Sequence, residues 1–196
     1  MKELYKVMKR IIPVFEVTTL PASNQPANDD VQVLSNNAGD TQDITLFGVD
    51  NNNVFQTHKV TLNGVTAVDS VLNPKWKTIY GAFLGDIYGN ISARATGTIT
   101  IREKSGEQAI ATITAGKLST GIVFFELPGV DIEIENMDGN TWFSPFGSGN
   151  VASSTGASGK LTGHMAKSLI VDPNRKYVSF VSDATGSTVQ VYVSEV

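Results

Sequence analysis

The side chains most often used in catalysis are scarce in this sequence and far apart. The two histidines, His58 and His164, each fall on or beside a predicted strand or loop, where a histidine is usually a packed or surface residue. The motifs H-E-x-x-H and G-x-S-x-G and the phosphate-binding P-loop do not occur. Because the chain has no cysteine, thiolate catalysis, disulfides and cysteine-ligated zinc are excluded. We therefore predict a protein that is not an enzyme.

Carboxylates occur as the pair Asp29-Asp30 and as the row Asp131, Glu133 and Glu135. The row alternates with apolar residues, so its members share one face of a strand at a spacing of about 7 Å. A glycosidase needs two carboxylates that flank a cleft, so a hydrolase is one alternative function. A half-solvated antiparallel strand has the same pattern and is common, and we interpret the row as a solvated face.

Two turn-forming segments carry oxygen atoms suited to calcium. They are Asp-Asn-Asn-Asn at 50–53 and Asp-Gly-Asn at 138–140. Neither segment has the spaced ligands of an EF-hand, and Asp, Asn and Gly are the residues expected in ordinary turns. We therefore predict no metal site and no cofactor.

The elements that carry these residues are short β-strands separated by turns. No segment has twelve residues of helical periodicity, and many evenly spaced short strands are typical of sandwiches and jelly rolls. The predicted fold is all-β, an antiparallel β-sandwich or jelly-roll-like single domain over 31–196. Strands are predicted at 31–35, 43–49, 54–62, 65–69, 76–84, 97–103, 108–114, 121–127, 130–136, 160–163, 168–171, 177–182 and 188–193.

The clearest local structure is a β-hairpin over 97–116. Its first strand alternates polar and apolar residues, and the loop that follows supplies Gly106 where a left-handed residue is expected. Ile110 and Ile113 have opposite parity in the second strand, which predicts either a β-bulge or a strand covered on both faces. A second turn, Asn63-Gly64 between two β-rich runs, predicts a type I′ hairpin.

Residues 1–30 differ from the rest and predict an extended N-terminal arm followed by a polar linker. Apolar residues also recur at helical spacing, which allows a short amphipathic turn; they are Leu4, Val7, Met8 and Ile11. The arm either docks as an edge strand or orders against a neighbouring subunit. Its apolar run is interrupted by Pro13 and is too short for a secretory leader.

The Gly/Ser-rich segment 139–163 is a long predicted loop that carries aromatic residues. These aromatic side chains either form a binding surface or fold back over the core. The arm and this loop are the predicted contact elements. The candidate interface residues are Leu4, Tyr5, Met8, Arg10, Ile11, Val14, Phe15, Trp142, Phe143 and Phe146.

Composition restricts the class of protein and its partners. The 196 residues are 41% hydrophobic, enough for a sizeable core, whereas the 17% charged residues fall below the roughly 25% of an average soluble domain. A surface of Ser, Thr, Asn and Gly suits extracellular or particle-bound β-proteins. The net charge of −4 gives no general attraction to nucleic acid, and no stretch approaches the roughly 18 apolar residues of a membrane span. We expect neither nucleic acid nor a membrane as a partner.

Five stretches recur together, in order and with their turn residues, in one group of all-β proteins. They are Ile-Thr-Leu-Phe-Gly-Val-Asp at 44–50, Thr-His-Lys-Val-Thr-Leu-Asn-Gly-Val-Thr-Ala-Val at 57–68, Gly-Thr-Ile-Thr-Ile at 97–101, Ala-Thr-Ile-Thr-Ala-Gly at 111–116 and Leu-Pro-Gly at 127–129. Over a little under half of its length the chain thus resembles tailed-bacteriophage virion structural proteins, of the head-decoration or capsid-associated type. It departs from them at 56–58, where Gln-Thr-His stands in place of an expected acidic residue.

The resemblance implies a non-enzymatic component of the virion. The expected role is a capsid decoration (cement) protein that binds the head shell through its arm and loops, with the major capsid protein or other virion proteins as partners. A homo-oligomer is also expected. A neck or tail protein of the virion is the first alternative. A carbohydrate-binding or adhesin-like module is another, with Trp142, Phe143 and Tyr88 as candidates for stacking against sugar rings.

Overall fold

The fold is all-β, as the strand pattern predicts. The computed structural model describes residues 7–14, 24–86, 92–121, 123–126, 131–137, 139–144, 159–170, 177–182 and 187–194. Within these ranges, no helix has the length and apolar character needed to cross a membrane. The strands are β1 (Val7–Val14), β2 (Val31–Ser35), β3 (Asp43–Asp50), β4 (Phe55–Thr61), β5 (Val68–Ser70), β6 (Trp76–Phe83), β7 (Ile99–Glu103), β8 (Ala109–Ile113), β9 (Ser119–Gly121), β10 (Val123–Glu126), β11 (Asp131–Asn136), β12 (Asn140–Ser144), β13 (Gly159–Thr162), β14 (Met165–Ile170), β15 (Tyr177–Ser182) and β16 (Ser187–Ser194).

The chain divides into two compact units. The inserted unit is Thr18–Val123, and the terminal unit combines Met1–Val17 with Phe124–Val196. This division differs from the single domain over 31–196 that the sequence indicates. The strand pattern is uniform along the chain and carries no signal of which distant strands pair, so it cannot show that the first strand belongs with the last ones.

Each unit contains two four-stranded antiparallel sheets. In the inserted unit the strand orders are β4-β3-β6-β9 and β5-β2-β7-β8. In the terminal unit they are β1-β16-β11-β14 and β10-β15-β12-β13. This arrangement confirms an antiparallel, sandwich-like architecture, which the chain builds twice.

The core of the inserted unit comes from both of its sheets. β2 alternates buried and half-buried residues, with Val31 and Val33 fully buried, as a strand with one covered face should. β3 is buried along nearly its whole length, so both of its faces are covered. The largest fully buried side chains of this unit are Trp76, Phe47, Phe83, Ile44, Leu46, Ile79 and Leu84.

The β7–β8 hairpin contains the predicted bulge. Ile101 pairs with Ala111 and Arg102 with Ala109, which leaves Ile110 as the extra residue. The bulge re-aims the strand, so that Ile110 and Ile113 are both buried despite their opposite parity. The expectation for the loop was wrong, because Glu107 and not Gly106 has positive φ, at 55°.

The turn at Asn63-Gly64 also differs from its prediction. Gly64 has a φ of 56°, whereas Asn63 does not lie in the left-handed region that a type I′ turn requires at both central residues. The N–H of Thr66 donates to the carbonyl of Asn63 at 3.0 Å, so the turn is centred one residue later, on Gly64 and Val65. The turn closes a single antiparallel bridge between Asn63 and Thr66 and then leads from β4 to β5, which lie in different sheets.

The described parts of 1–30 are integrated into the two units. Val7–Val14 is strand β1, paired antiparallel with β16 along its whole length, so this stretch is extended and not a helical turn. Among the described strands β1 lies at the edge of its sheet, the position where Pro13 is tolerated. Residues 24–30, predicted as part of a linker, belong to the inserted unit and are bonded to the rest of it: the N–H of Ile79 donates to Gln25 Oε1 at 2.7 Å, and the N–H of Lys104 donates to the carbonyl of Asp30 at 2.9 Å.

Gly64 and Gly116 provide a matched pair of substitutions. Both have positive φ, so alanine at either position costs about 1–2 kcal/mol of backbone strain. At Gly116 a Cβ meets open space, whereas at Gly64 it lies 2.6 to 2.9 Å from backbone atoms of Ala38. We expect Gly116→Ala to lower the free energy of unfolding by about that strain, and Gly64→Ala by about 3 kcal/mol or more, since the collision adds to it. Urea unfolding measures both, and equal losses would contradict the close approach.

Candidate binding surface

The outer face of the β12–β13 pair carries the one sequence-predicted aromatic that is both described and accessible. Trp142 lies opposite Lys160, and Asn140 lies opposite Thr162. Trp142 is half-buried, and Lys160 Nζ lies 5.2 Å from the centroid of its ring, within the range of a cation–π interaction. An indole, an ammonium group, an amide and a hydroxyl therefore share one face of the sheet, a combination suited to recognition of a polar partner.

Phe143 lies on the opposite face, because side chains alternate along a strand. It is 2% exposed and pairs with Phe180, which is fully buried. Its other neighbour across the sheet is Gly159, where a Cβ would collide with the Phe143 ring. Phe143 is thus a core residue, which corrects its assignment as an interface candidate. The alternative that an aromatic side chain folds into the core holds for this residue.

The predicted loop 139–163 is shorter than the sequence suggests. Asn140–Ser144 is strand β12, and it pairs with β13 at the other end of the segment. Asn136 fixes this pair at the preceding turn. Fully buried, its Nδ2 donates to the carbonyls of Gly139 at 3.0 Å and Leu161 at 3.3 Å, and its Oδ1 accepts from Thr141 Oγ1 at 3.1 Å. Asn136 thus positions the strands that present Trp142.

The remaining interface candidates do not meet at this face in the part of the chain that can be described. Leu4, Tyr5, Phe15 and Phe146 lie outside the described residues, as does Tyr88. The other four lie on β1, where their backbones pair with β16: Met8 with Val193, Arg10 with Val191, Ile11 with Gln190 and Val14 with Ser187. The backbone of the arm is therefore used inside the terminal unit.

His58 forms a contact that no motif in the sequence predicts. Its Nδ1 lies 2.6 Å from Ser70 Oγ, and Ser70 Oγ also accepts a hydrogen bond from Trp76 Nε1 at 3.1 Å. A histidine beside a serine hydroxyl is the pairing of a nucleophile with its base. Ser70, however, is 0% exposed, so a substrate cannot reach its hydroxyl. Burial lowers the pKa of His58, which keeps the ring neutral and the contact structural.

Two buried carboxylates of the inserted unit, those of Asp40 and Asp50, accept hydrogen bonds that hold loops. Asp40, 3% exposed, accepts from Ser35 Oγ at 2.6 Å, from the N–H of Thr96 at 2.8 Å and from the N–H of Gly97 at 2.9 Å. Burial alone would raise the pKa of Asp40, but these bonds, with one from Gln42, outweigh it and lower the pKa. The carboxylate therefore stays ionised as a fixed acceptor.

Asp50, in the first candidate calcium segment, is held in the same way. Its Oδ1 accepts from the N–H groups of Asn52 at 2.8 Å and Val54 at 3.0 Å, and its Oδ2 accepts from Gln56 Nε2 at 2.7 Å. Burial raises the pKa of Asp50, and the bonds from Val54, Gln56 and Asn52 lower it to a net value below the ordinary one. The segment is a turn organised by its aspartate, as its residue types predict.

The acidic pair Asp29-Asp30 joins the N-terminal segment to the β7–β8 loop. Asp29 Oδ2 accepts from the N–H of Ser105 at 2.7 Å, and Lys75 Nζ lies 3.4 Å from Asp30 Oδ2. Burial raises the pKa of Asp29, but the hydrogen bonds from Ser105 and Asp30 and the charge of Lys75 bring it below its ordinary value. These carboxylates connect elements of the fold.

The carboxylate row lies on β11, the strand between β16 and β14. Ile134 is fully buried, while Glu133 is exposed and Glu135 is half-buried on the other face. The solvated-face interpretation therefore holds for Glu133, whereas Glu135 is partly covered. His164, the second histidine, is exposed in the turn after β13, with a φ of 64° and its N–H donated to the carbonyl of Asn136 at 2.7 Å.

Comparisons of the chain with protein-family models, with curated proteins and with solved structures find no match.

Asp40→Asn tests the most highly bonded of these carboxylates. The amide presents an NH₂ group to N–H donors and removes the negative charge, so we expect a loss of about 2–3 kcal/mol in the free energy of unfolding. Asp43→Asn is the matched control. Asp43 pairs with exposed Lys59 at 2.9 Å, and we expect a change below about 1 kcal/mol. Urea unfolding at neutral pH gives both values, and similar losses for the two variants would contradict the role of Asp40.

His58 gives the inserted unit an acid-sensitive stability. Its pKa is lowered in the folded protein, so the unfolded chain binds the proton more readily. The contribution of His58 is complete above the unfolded pKa of about 6.5 and falls as the pH drops below it. We expect the wild-type protein to lose more stability than His58→Gln between pH 7.5 and pH 5.5, by urea unfolding. Parallel losses in the two proteins would show that His58 is not the group involved.

Proposed function

We propose that this chain is a non-enzymatic structural component of a phage virion, a capsid decoration (cement) protein that contacts the head shell. The observation that carries the proposal is the use of its ionisable side chains. Asp29, Asp40 and Asp50 accept hydrogen bonds from loop N–H groups, and His58 packs against a buried hydroxyl. Chemical groups employed in this way stabilise a rigid module, which is what a particle protein requires.

The sequence resemblance supports the same role. Four of its five stretches fall within the inserted unit, where 44–50 covers most of β3, 57–68 covers most of β4 and the first residue of β5, and 97–101 and 111–116 cover parts of β7 and β8. Those strands form two neighbouring pairs, β3 with β4 and β7 with β8, one in each sheet. The fifth stretch, 127–129, lies outside the described residues. Four of the stretches that carry the resemblance thus belong to one compact unit.

The contact element we assign is the face around Trp142, defined by Trp142, Lys160, Asn140 and Thr162. Half-buried tryptophans are enriched among residues that dominate binding energy at protein interfaces. Strand β1 is a less direct candidate than the sequence suggests, because its backbone already pairs with β16. A deletion of the arm would therefore damage the terminal unit, and a point substitution is the better test.

The experiment uses purified phage particles and heads assembled without this chain. Quantitative mass spectrometry of the particles should find the chain in fixed proportion to the shell subunit, and added protein should bind the heads. We expect Trp142→Ala to weaken head binding about tenfold or more while leaving circular dichroism unchanged. Val71→Ala, which shortens a 57% exposed side chain of the inserted unit, is the control and should bind like the wild type. A chain absent from purified particles would overturn the proposal.

The same variants separate the two alternatives. Binding to purified tails but not heads would place the chain at the neck or tail. Of the three stacking candidates of the carbohydrate-binding alternative, Phe143 is buried and Tyr88 lies outside the described residues, so this alternative is tested at Trp142. A glycan-array signal that Trp142→Ala abolishes, together with no binding to heads, would favour that alternative over a virion role.

A further inference from the structure

Strand β14 ends one sheet of the terminal unit. It pairs with β11 on one side, and among the described residues no strand pairs with its other side. Four consecutive residues, 165–168, are exposed. An edge strand with this much exposed surface is a template for pairing with another extended chain.

The register places a lysine on the inward face of this edge. Directly paired residues of antiparallel strands share a face, and Lys167 pairs with Ile134, which is fully buried. Met165, on the same side of β14, pairs with the buried Asn136. The ammonium group of Lys167 lies 5.6 Å from the ring centroid of Phe143, so the side chain extends over the rim of the core. A charge therefore occupies a position where the strand pattern calls for an apolar residue.

We propose that Lys167 is a gatekeeper that prevents β14 from pairing with β14 of a second copy of this chain. A strand added at this edge would cover Lys167 and take its ammonium group out of water, which is unfavourable unless a carboxylate accompanies it. Inward-pointing charges on edge strands are a recognised means by which sheets avoid such association.

A second copy is the partner that the geometry specifies. Two identical antiparallel edges pair about a two-fold axis, so the contact is self-complementary and closes as a dimer. In the register centred on residue 167, the two Lys167 side chains stand directly opposite each other, and like charges in that position are destabilising. Segment 159–170 contains no acidic residue that could compensate them. This inference does not depend on the proposed virion role.

Lys160 provides an internal control. It lies on β13, which immediately precedes β14 in the chain and, among the described strands, also lies at the edge of its sheet. Its side chain, however, is on the outer face over Trp142, where an added strand would leave it in solvent. Removing either lysine changes the net charge equally, but only the loss of Lys167 removes a charge from the inward face.

The test is the association state of Lys167→Val, measured by sedimentation equilibrium across concentrations up to about 100 μM. We expect its average mass to reach about twice that of the wild-type species, whatever that species is, because one two-fold contact is added. Lys160→Val and Lys167→Arg should sediment like the wild type. Hydrogen exchange of the associated Lys167→Val protein should show added protection at 165–169.

Two results would overturn the proposal. One is a folded Lys167→Val protein, by circular dichroism, that associates no more than the wild type. The other is equal association of Lys160→Val, which would make the effect a general consequence of lost charge. Lys167→Thr, with a smaller side chain of high strand propensity, is measured in the same way if the valine variant does not fold.

Discussion

The hydrogen bonds accepted by the carboxylate of Asp40 are the interaction on which the inserted unit most depends. Asp40 lies in the connection after β2, and its carboxylate oxygens accept hydrogen bonds from the N–H groups of Thr96 and Gly97, just before β7. The carbonyl of the same residue accepts the N–H of Gly64, in the turn that leaves one sheet for the other. One buried aspartate thus joins three connections that are far apart in sequence. Buried N–H groups must be paired, and an ionised acceptor pairs several of them at once.

The same use of charge recurs throughout the inserted unit. Asp50 organises the turn between β3 and β4, and Asp29 ties the N-terminal segment to the β7–β8 loop. The pKa of each is held low because hydrogen bonds favour the ionised form more strongly than burial disfavours it. A general acid needs the opposite balance, a raised pKa in an accessible cleft. These carboxylates have the electrostatics of structural acceptors, which agrees with a module built for rigidity.

The sequence predicts the strands well because their signal is local. Alternation of polar and apolar residues, interrupted by Asn, Asp and Gly, indicates most strands to within a few residues. The parity of Ile110 and Ile113 allows two arrangements, of which the bulge is the one that the strand adopts. β12 is missed because its five residues lie inside Gly/Ser-rich sequence that resembles a loop. Which strands pair cannot be predicted, since the contact of β1 with β16 joins opposite ends of the chain. For a related reason, the sequence predicts the aromatic residues of the candidate site but not which of them is accessible. Trp142 and Phe143 are adjacent aromatics, and only the pairing of β12 decides which of them is buried.

The pairing of β1 with β16 determines how the chain responds to force. Val7 lies opposite Ser194 at one end of this ladder, and Val14 lies opposite Ser187 at the other. Tension applied at residues 7 and 194 therefore loads the backbone hydrogen bonds one pair at a time, because the bonds of an antiparallel ladder run across the strands. While the ladder holds, the path of the load passes from β1 directly to β16 and bypasses residues 18–123. The paired strands β1 and β16 therefore carry the tension, and the inserted unit is loaded only after they separate.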